Sequence, residues 1–343
     1  MTRTFAARVD VIRSGAKLTE LSFSDAPSLY ADSTAEIKTS LKGTFKYNPL
    51  VDIFKDELVP IITIDGVEYK YGVYRVGTCS ERFNIAGVEY LAIESYDRGF
   101  LLTQYKTETI LYLEAGTNYI TAIEELLAAA GISLVISTPT ASVLQTDRED
   151  WNVGTKYVEI VNQLLSEINY DNVWFNSDGY AILKPYTTPT AERISHIYDG
   201  TTELSVLARE CDSETDVFGK PNVFVAVISN ADLDGPMTAT AENRSPFSVL
   251  STVNRGMRVT EVCRVDNIAS QSELQSYINN IRDQSMSGTE TTTIKTAIMP
   301  GHGIGDIIAL NHPNIQGIFK ESAWYIILEA GQMMTHKLKR VMQ

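Results

Sequence analysis

Two segments of the chain carry the same helical pattern. "GTNYITAIEELLAAAG" begins at Gly116, and "GTKYVEIVNQLLSEIN" begins 38 residues later at Gly154. They align as Gly-Thr-x-Tyr-[Ile/Val]-x-x-[Ile/Val]-x-x-Leu-Leu. The spacing puts Ile120, Ile123, Leu126, Leu127 and Ala130 on one helical face, and Val158, Val161, Leu164, Leu165 and Ile168 on the equivalent face of the second. Thr117 and Thr155 are the expected N-caps, since a hydroxyl can satisfy an orphan amide, and Gly131 is the expected C-terminal stop. Each helix is followed by a β-like stretch, "ISLVIS" and "NVWFNSDGYAILKPY", the latter a hairpin around Ser177-Asp178-Gly179. Two copies are too few for a solenoid, so residues 100–188 read as a compact α+β domain with an internal duplication.

The flanking regions read as β. Residues 1–99 hold short or alternating apolar runs such as "TFAARVDVI" and "FNIAGVEYLAIESY", with turn signals at Asp65-Gly66 and Ala86-Gly87. Residues 189–343 return to strands ("PNVFVAVIS", "MRVTEVCRV", "TTTIKTAIM", "AWYIILEAG") around one inserted helix at about 270–285. That helix carries a Ser270/Glu273 capping box and an apolar stripe of Leu274, Tyr277, Ile278 and Ile281. Strands at this spacing suggest a barrel or sandwich, so the expected fold class is α+β, mainly β, with a helix-containing α+β domain between two β domains.

Composition excludes several functions. A net charge of −14, with no lysine or arginine run, argues against nucleic-acid binding as a purpose. No apolar run reaches the roughly 20 residues of a membrane helix. The N-terminus lacks the apolar core of a signal peptide, so synthesis in the cytoplasm is expected. Cys79, Cys211 and Cys263 form no CxxC pair and are expected to be reduced, mostly buried thiols, with no cofactor and no metal implied.

"PGHGIGDIIAL" (300–310) is the stretch closest to a chemical motif. A dinucleotide loop needs a helix after the glycines, and a Walker loop needs Gly-Lys-Ser/Thr; neither is present. The glycines fit a tight turn feeding a strand. His302 and Asp306 suggest a catalytic pair in principle, but no Gly-x-Ser-x-Gly elbow exists. His196, His302, His312 and His336 show no paired metal spacing, and His312 and His336 read as solvated loop residues. "ECDSETD" places Glu210, Asp212, Glu214 and Asp216 in what reads as a solvated acidic loop, and "ADLDG" (231–235) reads as a turn. Trp151, Trp174, Trp324 and 17 tyrosines leave sugar binding open, because sequence does not separate exposed from buried aromatics.

The succession "FGKPNVFVAVISN", "ATAENRSPFSVLSTVNRGMRVTEV", "SQSELQSYINNIRDQ", "IMPGHGIGDIIAL" and "ESAWYIILEAGQMM" resembles the baseplate hub, or tail hub, proteins of contractile-tailed phages and phage-tail-like particles, closest to the defective-prophage and tailocin type. Pro221 and Asn222 match the family's entry into a second barrel, Gly305 and Asp306 its Gly-Asp before a late strand, and Trp324 its following aromatic. The resemblance implies a non-enzymatic structural subunit, made in the bacterial cytoplasm, with two tube-like β-barrel domains and the helix-containing α+β domain between them. Three chains would form a homotrimeric ring that adapts a six-fold tail tube to a three-fold central spike. Partners would be the tail tube protein, the central spike protein, and the tape measure and other baseplate proteins. DNA would be passing cargo only, no membrane would be bound, and the chain would end in the baseplate of the particle. The rival reading is a peptidoglycan-acting hydrolase or carbohydrate-binding module using Glu210, Asp212, Glu214 and Asp216 with exposed aromatics.

Overall fold

The computed structural model describes residues 4–202, 205–228, 237–246, 248–265, 268, 270–286 and 290–341; the "ADLDG" turn lies outside them. Strand outweighs helix, 45% to 15%, so the mainly-β expectation holds. The Asp65-Gly66 hairpin forms as expected. Both residues adopt positive φ (51° and 83°), the pairing of a primed turn whose twist suits the strands Glu57–Ile64 and Val67–Lys70.

The two β regions are joined, and no closed barrel is present among the described residues. Their strands run as one open, branched sheet from Leu207–Thr215 at one end to Ala16–Leu21 at the other. The joint is the 12-residue strand Gln316–Ile327. Its first half pairs with Ile307–Asn311 and its second half with Ser28–Asp32, while Met333–Arg340 runs along its other side. A strand this long spans two cores. Phe319 packs with Tyr198, Ile294, Ile308 and Leu338, whereas Trp324 and Ile326 pack with Leu29, Leu41, Phe45 and Tyr74 from the N-terminal region.

A β-bulge at Ser322 makes this switch work. Glu321 pairs with Leu338 and Ala323 with Lys337, so two steps on one strand match one on the other. Strict alternation from Phe319 and Glu321 would turn Tyr325 inward and Trp324 outward. The extra residue reverses the parity: Trp324 is buried and Tyr325 exposed.

Two other cores stand apart. The helices Tyr119–Ala129 and Tyr157–Glu167 bury the predicted faces against a small sheet of Trp174–Phe175, Ala181–Leu183 and Val135–Ser137. Ile168 is only half-buried. The strand after the first helix pairs in parallel with the one from the Ser177–Gly179 hairpin. The caps differ from expectation by one residue. Asn118 caps the first helix, accepting from the amides of Ile120 and Thr121, while Lys156 occupies that place in the second without a side-chain cap. Thr155 is diverted: its hydroxyl donates to the Asn152 carbonyl at 2.8 Å. Gly131 takes positive φ (82°), as a helix stop requires.

The strands Val223–Ile228, Met237–Glu242 and Thr260–Arg264 form a separate sheet, covered by the helix Gln271–Met286. The Ser270/Glu273 cap is present, with the Glu273 amide donating to the Ser270 hydroxyl at 3.2 Å. Leu274 and Ile278 are fully buried beneath it.

Candidate functional site

"PGHGIGDIIAL" is a turn and a strand. Gly301 and Gly305 both take φ of 80°, and Ile307–Asn311 is extended. The turn delivers His302 into the interior, where the bulge at Ser322 also aims Glu321. A second irregularity, between Ile194 and His196 in the pairing with Ile307–Asn311, sets His196 beside them.

These residues form a closed polar cluster. Glu321 Oε2 accepts from His302 Nδ1 at 2.6 Å, and Glu321 Oε1 from His336 Nδ1 at 2.5 Å. All three side chains are 0–1% exposed. With the carboxylate ionised both rings donate to it through Nδ1; His302 Nε2 lies 2.5 Å from the Tyr198 hydroxyl, and His336 Nε2 lies 2.9 Å from the Thr296 hydroxyl, which is also 2.7 Å from the Ala297 carbonyl. Burial alone would raise the Glu321 carboxyl, but the hydrogen bonds and positive potential of His302 and His336 outweigh it and hold it below the usual range. Burial pushes His336 below the ordinary histidine value, against the pull of Glu321.

His302 and Asp306 are not a pair. Asp306 instead accepts from the Gly303 amide at 2.7 Å and sits 3.4 Å from His196 Nε2. His196 stacks on His302 with centroids 3.8 Å apart and planes 13° from parallel. The hydrogen bond to Asp306 raises His196, with desolvation opposing it.

Two groups, His196–His302–Asp306 and His302–Glu321–His336, bring ligand atoms within 4.8 Å of one another, but as arranged these atoms bond to each other rather than spread around an ion. Ligand atoms about 2.1 Å from a tetrahedral ion lie more than 3 Å from each other, whereas Glu321 meets each ring at hydrogen-bond length. His196 and His302 are parallel, so their in-plane lone pairs do not converge on one point. The hydroxyls of Tyr198 and Thr296 are each hydrogen-bonded to a histidine within the cluster. The arrangement is a brace between the strands that carry Tyr198, Thr296, Glu321 and His336.

Three sequence expectations are corrected here. His336 is fully buried in the strand Met333–Arg340, and His312 is 3% exposed, lying 3.4 Å from the Cys211 sulfur and 3.0 Å from the Arg209 carbonyl. Neither is a solvated loop residue. Cys79, Cys211 and Cys263 are free and half-buried rather than mostly buried.

The acidic run is a strand, not a loop. Glu210, Asp212 and Glu214 lie in Leu207–Thr215 at the open end of the large sheet, exposed, with Asp216 just beyond. Charges on an edge strand discourage stray pairing. Trp151 and Trp324 are buried, leaving Trp174 half-buried.

Of the motif positions, Asn222 does the most. It is 0% exposed; its amide donates to the carbonyls of Leu250 and Met257 at 2.9 Å each, and its oxygen accepts from the Val259 amide at 2.8 Å. Pro221 precedes it, half-buried. Gly305 and Asp306 form the turn beside the cluster, and Trp324 packs edge-on against Tyr71 at 5.9 Å. Sequence reading missed Glu321. Its signal was a carboxylate two residues after Phe319, on the inward face of an apolar strand. Arg148 was missed too: it is 1% exposed and bonded to Glu167 and Asp150.

This architecture is that of phage tail proteins, and the hub-type resemblance read from the sequence holds at the level of the fold. A tail protein from Neisseria meningitidis MC58 superposes with a TM-score of 0.71 at 14% identity, over 98% of this chain and 97% of that one. A 43 kDa tail protein of prophage MuSo2 from Shewanella oneidensis gives 0.67 at 10% identity, over 97% and 98%. An E. coli type VI secretion component, described as structurally similar to the T4 bacteriophage tail proteins gp27 and gp5, gives 0.55 at 8% identity over 98% and 77%. No family model matches the sequence, and no curated protein matches it. No helix among the described residues is long and apolar enough to cross a membrane.

Proposed function

We propose that the chain is a structural, non-enzymatic hub subunit of a contractile tail or tail-like injection particle. Three copies assemble into a ring that adapts a six-fold tube to a three-fold spike. Residues 1–99 and 189–343 supply the tube-like walls, and 100–188 the α+β domain between them. Pro221, Asn222, Gly305, Asp306 and Trp324 act as structural positions that hold those walls. The partners are two further copies, the tail tube protein, the central spike protein, and the tape measure and other baseplate proteins, with DNA only passing through.

The observation that carries this reading is the open sheet. Among the described residues its end strands, Ala16–Leu21 and Leu207–Thr215, are each paired on one side only, so neighbouring subunits can complete the walls that a single chain leaves open. Whole-length likeness to tail proteins supports it. The test is negative-stain electron microscopy of the purified chain, alone and mixed with tube and spike proteins. Three-fold rings with a central hole are expected. Single particles under both conditions would overturn the hub reading.

A further inference from the structure

On a chain of net charge −14, four cations without a close acidic partner line one cleft. The cleft, of about 580 Å³, opens where the helix-containing unit, the helix Gln271–Met286 and the bridging strand meet. Lys184, Arg193, Lys320 and Lys339 line it, with Trp174 and Tyr186. We infer that this cleft binds a small anion carrying two or more phosphate groups.

The charge there is not spent on the protein itself. Among the described residues the side chains of Arg193, Lys320 and Lys339 have no hydrogen-bond or ion-pair partner within contact distance. Lys184 reaches only Asp171, at 4.0 Å. The other carboxylates on the wall are already engaged: Asp306 by His196 and the Gly303 amide, Glu321 by His302 and His336. Lys320 is half-buried, with its ammonium 5.7 Å over the Tyr186 ring, and Lys184 sits 5.3 Å over Trp174. Burial lowers the Lys320 ammonium's basicity. Lys184 and Lys339 lower it further, with Asp171 in opposition. Cations held together at this cost are relieved by an incoming anion.

Of the five cations on the wall, Lys38 is spent on the carbonyls of Ser33 and Ala35, leaving three lysines and Arg193 to face a ligand. Ammonium groups act as point charges, which suits a compact anion of several negative charges, and both lysine and arginine are phosphate ligands. The volume falls within the roughly 300–1,000 Å³ of small-ligand sites. The acidic remainder of the surface repels a long phosphodiester chain. Gly305 belongs to the site as well. A Cβ there would come 3.1 Å from Lys320 Cε, so the glycine leaves room for the lysine to lie across the turn.

The test is titration calorimetry of the full chain with sodium tripolyphosphate, at about 50 and about 300 mM salt. Lys320→Met and Lys184→Met are each expected to weaken binding by about tenfold or more, while Lys55→Gln, an exposed lysine elsewhere, keeps wild-type affinity. Without ligand, Lys320→Met is expected to keep or raise the melting temperature, because it removes a crowded cation; should that variant fail to fold, Lys184→Met carries the test alone. Parallel arms use orthophosphate, expected to bind more weakly, and a single-stranded oligonucleotide, expected not to compete. No heat with wild type overturns the inference, as does equal weakening by Lys55→Gln. Tight oligonucleotide binding lost in the same two variants overturns the small-ligand assignment in favour of a nucleic-acid groove.

Discussion

Glu321 and His336 face one another across adjacent strands at 2.5 Å, with neither side chain reaching solvent. A carboxylate buried at that depth is held by its partners, and losing one of them leaves the rest uncompensated. Glu321→Gln keeps the shape but places an NH2 group where His302 or His336 already donates. It should lower unfolding stability by about 3 kcal/mol, the usual cost of breaking a buried pair. Urea denaturation of variant against wild type reads this; a change under about 0.5 kcal/mol would mean the brace is dispensable.

The same cluster dictates pH dependence, with opposing signs. His336 is held below its unfolded value, so as pH falls below about 6.5 the unfolded chain takes up a proton that the folded one refuses, and stability drops. Glu321, also depressed, contributes above about 4.3 and loses that contribution as pH falls through its folded value. His196 is raised: its contribution is fully present below about 6.5 and disappears as pH rises through the folded value. His196→Asn should therefore cost more at mildly acidic pH than at alkaline pH. Paired denaturation curves at the two pH values check the order, and a reversed order would contradict the His196–Asp306 pairing.

Asn222 clips three backbone groups with one side chain, donating twice and accepting once. Asn222→Asp turns the donor into an acceptor facing the carbonyls of Leu250 and Met257. Asn222→Asp should be worse than Asn222→Ala, which leaves those groups unpaired without adding a buried charge, at about 2–4 kcal/mol for the alanine variant. Thermal melts of the two variants give the ranking directly. Equal melting temperatures would remove the clip from the argument.

Deleting Ser322 tests the bulge. Without the extra residue, Trp324 and Ile326 turn outward and Tyr325 inward, in the strand that joins both cores. The deletion should abolish cooperative folding, whereas Ser322→Ala, which loses one hydrogen bond to the Lys337 carbonyl, should cost only about 1 kcal/mol. Circular dichroism melts separate the two. A deletion that melts like wild type would show that the register reforms elsewhere.

Much of the local structure was legible in the sequence, because it depends on near neighbours. The apolar faces of both repeated helices, the Asp65-Gly66 turn and the Ser270 cap follow from periodicity and from φ preferences that act within a few residues. The order of segments also sufficed to anticipate a tail-protein fold. The cap shift to Asn118 shows the limit of that reading: Thr117 and Asn118 are both capping residues, and the helix start chose between them.

Only the tertiary structure decided the rest. His196, His302, Glu321 and His336 are brought together by two register irregularities, and strand pairing between residues more than a hundred apart leaves no periodic trace in the chain. The same holds for the cleft lysines, gathered from three separate segments. Local sequence sets which conformations each segment prefers. Burial then sets what a histidine or lysine becomes, because desolvation and the neighbours it forces together are properties of the whole fold.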